Sequence, residues 1–336
     1  RRMMYFAYVQ WIAYSQWSNL KQRAGEHGVA LMGDIPIGVS YYSADVFTEP
    51  ELFDLTWSGG APPEKVFQSD PFTTKWGQNW GVPVYRWDAL EERDYDWWRQ
   101  RVALVREVFD LFRIDHVLGF FRIYAFPWRP ERNPEFLELD HDQARERTGG
   151  RLPRFLPCDD DSWEGREHNR AQGVRILEHL LETAGEYTLI GEDLGVVPDY
   201  VGPALSALGI AGFKVPMWER MPDGSLLPGA NYQRLSVTTY ATHDHPPLRT
   251  FWNEWADAIQ RADNGDQEMA AKAAGARADM QALIDFAGLD LRAGPHPYDD
   301  RIREALLLAL LRTNSWLALP MITDVFGAEY RFNVPG

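Results

Sequence analysis

Four stretches of this chain join an apolar, β-type run to an ionisable tip: LMGDIPIGV (31–39), LFRIDH (111–116), LIGEDLG (189–195) and TTYATHDH (238–245). Apolar and β-branched runs that stop abruptly at Asp, Glu, Arg or His match barrel strands with buried bodies and tips emerging where the loops gather. One such tip is easily an accident of packing. Four of them imply an enzyme that works with several carboxylates at once.

Arg113 and Asp115 stand two apart, on one face of a strand. A guanidinium beside a carboxylate holds it ionised and oriented, and such an Asp is a nucleophile candidate. A purely structural ion pair at the rim explains the same spacing. GEDLG supplies adjacent acids, Glu192 and Asp193. Neighbours on a strand point to opposite faces, so only one of them can face the barrel centre. A Glu in a partly dry site near other carboxylates has a raised pKa and can donate a proton; a solvated acidic turn is the alternative. His243-Asp244-His245 offers two imidazoles from one strand face, as a metal site would. With only 8 His and one Cys in the chain, hydrogen bonding to hydroxyl groups suits His243 and Asp244 better, and no metal is expected. Asp34 is either a rim carboxylate or a turn former. The segment GQNWGVPVYRW (77–87) reads as a mobile flap with Trp80 as a sugar-stacking ring, or as a packed surface loop.

The elements that must position these groups alternate between strand and helix. Helical spacing covers about 3–27, 94–108, 170–184, 198–208, a long stretch at 246–288, and 300–313. Strand patterns cover 29–39, 110–119, 187–195, 211–218, 235–244 and 316–325. This order predicts a parallel sheet with crossover helices. Residues 41–93 and 120–170 show little periodicity and read as irregular insertions into one domain spanning 1–336; segments of that length are usually functional loops.

Composition removes several classes. A net charge of −15 argues against nucleic acid and against anionic membranes. No apolar run is long enough for a transmembrane helix. Cys158 is the only cysteine, which excludes an internal disulfide and fits a reducing cytoplasm. No phosphate-cradling loop or dinucleotide fingerprint occurs, so no nucleotide cofactor is expected. The 14 Trp and 14 Tyr read mostly as core, and aromatic planes also suit the flat C–H faces of pyranose rings.

Taken in order, MGDIPIGV, GAPP with WGQNWGVPVY, FRIDHVLGFFRI, IGEDLGVVP, ATHDHP and RFNVPG resemble the amylomaltases, the 4-α-glucanotransferases of glycoside hydrolase family seventy-seven, in the clan of the α-amylases. The resemblance implies an α/β fold, a (β/α)8 TIM barrel with inserted subdomain loops, lacking its first strands and last helix in this chain, with strand edges exposed at 29–39 and 316–325. It implies Asp115 as nucleophile, Glu192 as general acid and then base, and Asp244 as stabiliser of the transition state. Arg113, His243 and Asp34 match supporting positions, Gln78 and Trp80 fall on a flexible loop near the donor sugar, and Asn333 on a binding position. His245 departs from the Asn or Leu that many relatives carry after THD. The implied partners are maltooligosaccharides, amylose or glycogen-type glucans and glucose as acceptor, handled by a cytoplasmic monomer without cofactor. A hydrolase of the same clan, or an inactive glucan-binding fragment, are the alternatives.

Overall fold

The computed structural model describes residues 2–63, 70–185 and 188–332. The chain divides into two compact units, Arg1–Ala211 and Gly212–Gly336.

In the first unit, three parallel strands carry the framework: β1 (Met32–Ile35), β4 (Leu111–Ile114) and β7 (Leu189–Gly191), in the order β1-β4-β7. Asp34 pairs with Arg113 and Ile114 with Gly191. Helix Asp96–Val108 leads into β4 and helix Trp163–Ala184 into β7. The first buries Trp97, Trp98 and Val102, the second Ile176, Leu177 and Leu180, and these join Phe112 and Ile114 in one core. Full burial of each large apolar side chain contributes about 1.5–3 kcal/mol. Helix Arg2–Glu26 buries no residue. It is fastened at its C-terminal half, where Lys21 Nζ donates to the carbonyls of Arg106 and Phe109 at 2.7 and 3.0 Å and Trp17 packs on Phe109.

The described residues of 41–93 and 120–170 form regular structure, which the sequence pattern did not indicate. β2 (Phe53–Ala61), β3 (Gln78–Tyr85), β5 (Ile123–Phe126) and β6 (Arg154–Leu156) form one antiparallel sheet, ordered β3-β2-β5-β6. Segments on either side of β4 in sequence thus complete each other's hydrogen bonding. Their aromatic content fills a separate small core, in which Trp128 stacks on Phe136 at 3.8 Å. Alternation is masked here because bulges interrupt the β2–β3 register and Gly59 and Gly60 have no side chain to alternate.

In the second unit, β8 (Gly212–Lys214), β9 (Ser236–Thr238) and β10 (Leu317–Ala318) form a parallel sheet in the order β10-β9-β8. All six expected parallel strands occur, but shorter than their sequence patterns. Pro36 follows β1 and Pro320 follows β10, and a prolyl nitrogen cannot donate to a ladder. Much of 316–325 is therefore not strand: Ile322–Phe326 is a short helix. The long helical stretch at 246–288 is two main helices, Leu248–Asp263 and Ala270–Phe286. They part at Gly265, whose φ of 96° an L side chain rarely adopts.

Candidate active site

The ends of β1, β4 and β7 bring Asp34, Arg113, Asp115 and Glu192 together. Arg113 is buried, with 5% of its surface exposed. Its Nε donates to Asp34 Oδ1 at 2.9 Å, and its Nη2 donates to Asp115 Oδ1. One guanidinium thus orients two half-exposed carboxylates. Burial alone would lower its pKa, but Asp115, Asp34 and Glu192 outweigh burial and the net shift is upward. Arg113 therefore stays cationic throughout the working range.

The backbone fixes the two acids that follow these strands. Asp115 N–H donates to the Ile35 carbonyl, and Glu192 N–H to that of Ile114, both at 2.9 Å. The Glu192 side chain points inward and is 9% exposed, while Asp193 is half-buried. Glu192 Oε2 accepts from His116 N–H at 2.7 Å and Oε1 from Leu194 N–H at 3.0 Å. Those two bonds and the Arg113 charge favour the carboxylate. Burial, reinforced by the negative charge of Asp115, wins over them and pushes the pKa up to about 7. Glu192 therefore keeps a proton near neutrality, as expected for an acid in a partly dry site.

Gln78 and Trp80 lie in this unit too, but on a strand. The segment 77–87 is not an irregular loop: Gln78–Tyr85 is β3, an edge strand paired along β2. Pro83 within it is tolerated because an edge strand has one side free of ladder bonds. Trp80 Nε1 donates to Gln78 Oε1 at 3.1 Å. The Trp80 ring, 38% exposed, meets His116 edge to face with centroids 4.9 Å apart.

Asp244 and His243 belong to the second unit, in the turn after β9. His245 N–H donates to the Thr242 carbonyl at 3.0 Å, the Thr242 hydroxyl bonds His245 Nδ1 at 2.9 Å, and Arg331 Nη2 donates to the Asp244 carbonyl at 2.8 Å. His243 Nε2 lies 3.5 Å from Asp244 Oδ2, and both side chains are accessible. His245 packs against Trp218 with centroids 5.4 Å apart, and burial lowers its pKa. No cluster of three or more metal-ligating side chains occurs among the described residues. Asn333 lies outside them.

Sequence reasoning gave no role to His116, Arg122 or Trp218. His116 has a φ of 45°, a conformation uncommon for any residue but Gly. Arg122 is buried, its Nε 2.8 Å from Asp160 Oδ2, with Phe155 3.4 Å beneath the guanidinium. The charged residues inside RIDHVLGFFR were the available signal.

The family model described as 4-α-glucanotransferase, glycoside hydrolase family 77, matches residues 1–336. A 4-α-glucanotransferase of Chlamydia caviae is 35% identical over 259 residues, covering 76% of this chain and 42% of that protein. One from Aquifex aeolicus is 26% identical over 343 residues, covering 100% of this chain and 58% of the relative. This chain therefore spans about half the length of the relatives it matches. Among solved structures, amylomaltase from Corynebacterium glutamicum aligns with a TM-score of 0.70 at 23% identity, over 99% of this chain and 44% of that one. Amylomaltase from Streptococcus agalactiae in complex with acarbose aligns with a TM-score of 0.66 at 24% identity, over 96% and 54%. These likenesses establish a shared α/β, TIM-barrel-like fold, and with the match over every residue the chain belongs to the 4-α-glucanotransferases of glycoside hydrolase family 77.

Proposed function

We propose that this chain carries the catalytic (β/α)8 domain of a 4-α-glucanotransferase that moves α-1,4-glucan segments by a retaining double displacement, with residues 41–93 and 120–170 as its insertions. The observation that carries the reading is the unequal treatment of two neighbouring acids. Asp115 sits on the Arg113 guanidinium, while Glu192 is pushed up to about 7 by burial and by Asp115. Paired carboxyls in such contrasting environments divide into nucleophile and proton donor.

In the first step an Asp115 oxygen attacks the anomeric carbon as the glycosidic bond breaks, and the Glu192 proton passes to the departing glucan's oxygen. A glucosyl ester on Asp115 results. Esterification removes the Asp115 charge, one of the two causes that raise the Glu192 pKa. Glu192, now ionised, is thereby stabilised as the carboxylate just when a base is required. It takes the proton from the 4-hydroxyl of an acceptor glucan, whose oxygen attacks the anomeric carbon and releases Asp115. Asp34 and Arg113 hold the nucleophile, and Asp244 with His243 grips the hydroxyls of the sugar in the transition state. Gln78 and Trp80 line the donor, and Asn333 contributes to glucan binding. Trp80 also helps keep water from the ester, so that a glucan meets it instead. The substrates are maltooligosaccharides and longer glucans, with glucose as acceptor; neither metal nor cofactor takes part, and the protein acts as a cytoplasmic monomer.

The test is the purified chain with maltotriose, products separated by chromatography. Transfer gives glucose with maltopentaose and longer sugars. Glucose with maltose alone makes the chain a hydrolase. Retention on amylose without products makes it a binding fragment and overturns the assignment.

A further inference from the structure

His116 follows the nucleophile candidate directly, yet its side chain takes no step in the chemistry above. It is one of three non-glycine residues with positive φ among the described residues. Such backbone costs on the order of 1–3 kcal/mol and persists where the surroundings enforce it. Here they do. The His116 carbonyl accepts from Gly119 N–H at 2.9 Å, and its N–H donates to Glu192 Oε2 at 2.7 Å. A Cβ at Gly119 would sit 2.8 Å from Ile37 Cγ1, so the turn is packed closely against Ile37, with the His116 ring at ordinary contact distance. The ring's contact with Trp80 crosses from the parallel sheet to the inserted one.

We propose that His116 is a positioning residue that couples Trp80 to Glu192, its left-handed backbone aiming the N–H that Glu192 accepts and its imidazole carrying the contact with Trp80. This rests on the reading of Glu192 as the general acid. A sugar resting on the exposed ring of Trp80 restrains that ring, which restrains the imidazole and, through it, the N–H that helps set the acidity of Glu192. The imidazole must be uncharged for this, because a cation there would pull the proton off Glu192. Burial and then Arg122 hold the His116 pKa down to about 4, although the residue as a whole is only half-buried. The other groups bearing on Glu192 are Arg113 in β4, Asp115 directly after it, Asp34 through Arg113, and Asp193 beside it.

The experiment is a carboxyl ¹³C titration of the full chain, run alongside donor kinetics. One Glu carboxyl should titrate near the value of about 7 given by its surroundings and vanish in Glu192→Gln. His116→Gly and His116→Asn, which tolerate positive φ, should leave that titration in place. His116→Val, which does not, should raise it by about half a unit or more, because Glu192 loses a donor that favours its ionised form. His116→Ala carries the same test should the Val variant fail to melt cooperatively. In kinetics, His116→Gly should raise the donor KM several-fold, as Trp80→Ala does, and the double variant should be no worse than either single one. An unmoved titration in His116→Val and His116→Ala, or independent effects of the His116 and Trp80 changes on KM, overturns the coupling. Failure of the functional reading shows differently, as a wild-type chain without transfer products whose titrations still follow the His116 backbone.

Discussion

In the proposed mechanism Glu192 sets the pH response, because a general acid works only while protonated. With its pKa near 7, kcat/KM for an unactivated glucan should be level in mild acid and fall as pH rises through about 7. Glu192→Gln should lower turnover of maltotriose by about 10²–10⁴-fold and abolish that basic limb. It should spare the first step with a glucosyl fluoride donor, whose leaving group needs no proton. Asp115→Asn should stop both donors, and near-wild-type activity in that variant would remove Asp115 as nucleophile. Both acids were legible as strand tips, since each apolar run stops at RIDH or GEDLG, but their roles were not, because an ion pair at the rim or a solvated acidic turn uses the same residues. The His116 N–H that receives Glu192 was not legible. A hydrogen bond between residues 116 and 192 depends on β4 and β7 being neighbours, which no local pattern encodes.

At the scale of elements, close approach limits what may change. Gly173 lies in helix Trp163–Ala184, and an added Cβ would fall 2.2 Å from Phe121 Cδ1. Gly173→Ala should therefore destabilise by about 1–3 kcal/mol through overpacking, despite the better helix propensity of Ala, and urea melts measure it. Asp324 is buried and its Oδ1 accepts from Leu248 N–H at 2.8 Å, capping helix Leu248–Asp263 from a distant segment. Asp324→Ala should cost about 1–3 kcal/mol. Burial raises the Asp324 pKa from 3.8 to about 6, so its contribution is full below 3.8 and is lost as pH rises through about 6. The difference in melting temperature between wild type and Asp324→Ala should shrink over that interval. The main helices were readable to within a few residues, apart from a start at Trp163 rather than 170, set by the Ser162 cap, and the break at Gly265. The inserted sheet was hidden because β2 and β5 find partners across the intervening β4.

For the whole molecule, one cysteine and a net charge of −15 set the expected behaviour. Melting temperature should be the same with and without reductant, and a reductant-dependent shift would reveal an intermolecular disulfide through Cys158. The parallel alternation was visible throughout because buried strands and amphipathic helices carry different periods. The pairing in the inserted sheet has a further consequence. Ala61 at the end of β2 lies opposite Gln78 at the start of β3, so the chain between them leaves and re-enters the sheet at adjacent points. Its length can change at little entropic cost without disturbing β4 or β7. For protein engineering, grafts belong before Asp70: helix Pro71–Trp76 must stay, because Trp76 is buried and its Nε1 donates to the Phe136 carbonyl at 3.0 Å, and the Arg113, Asp115 and Glu192 constellation is then inherited intact.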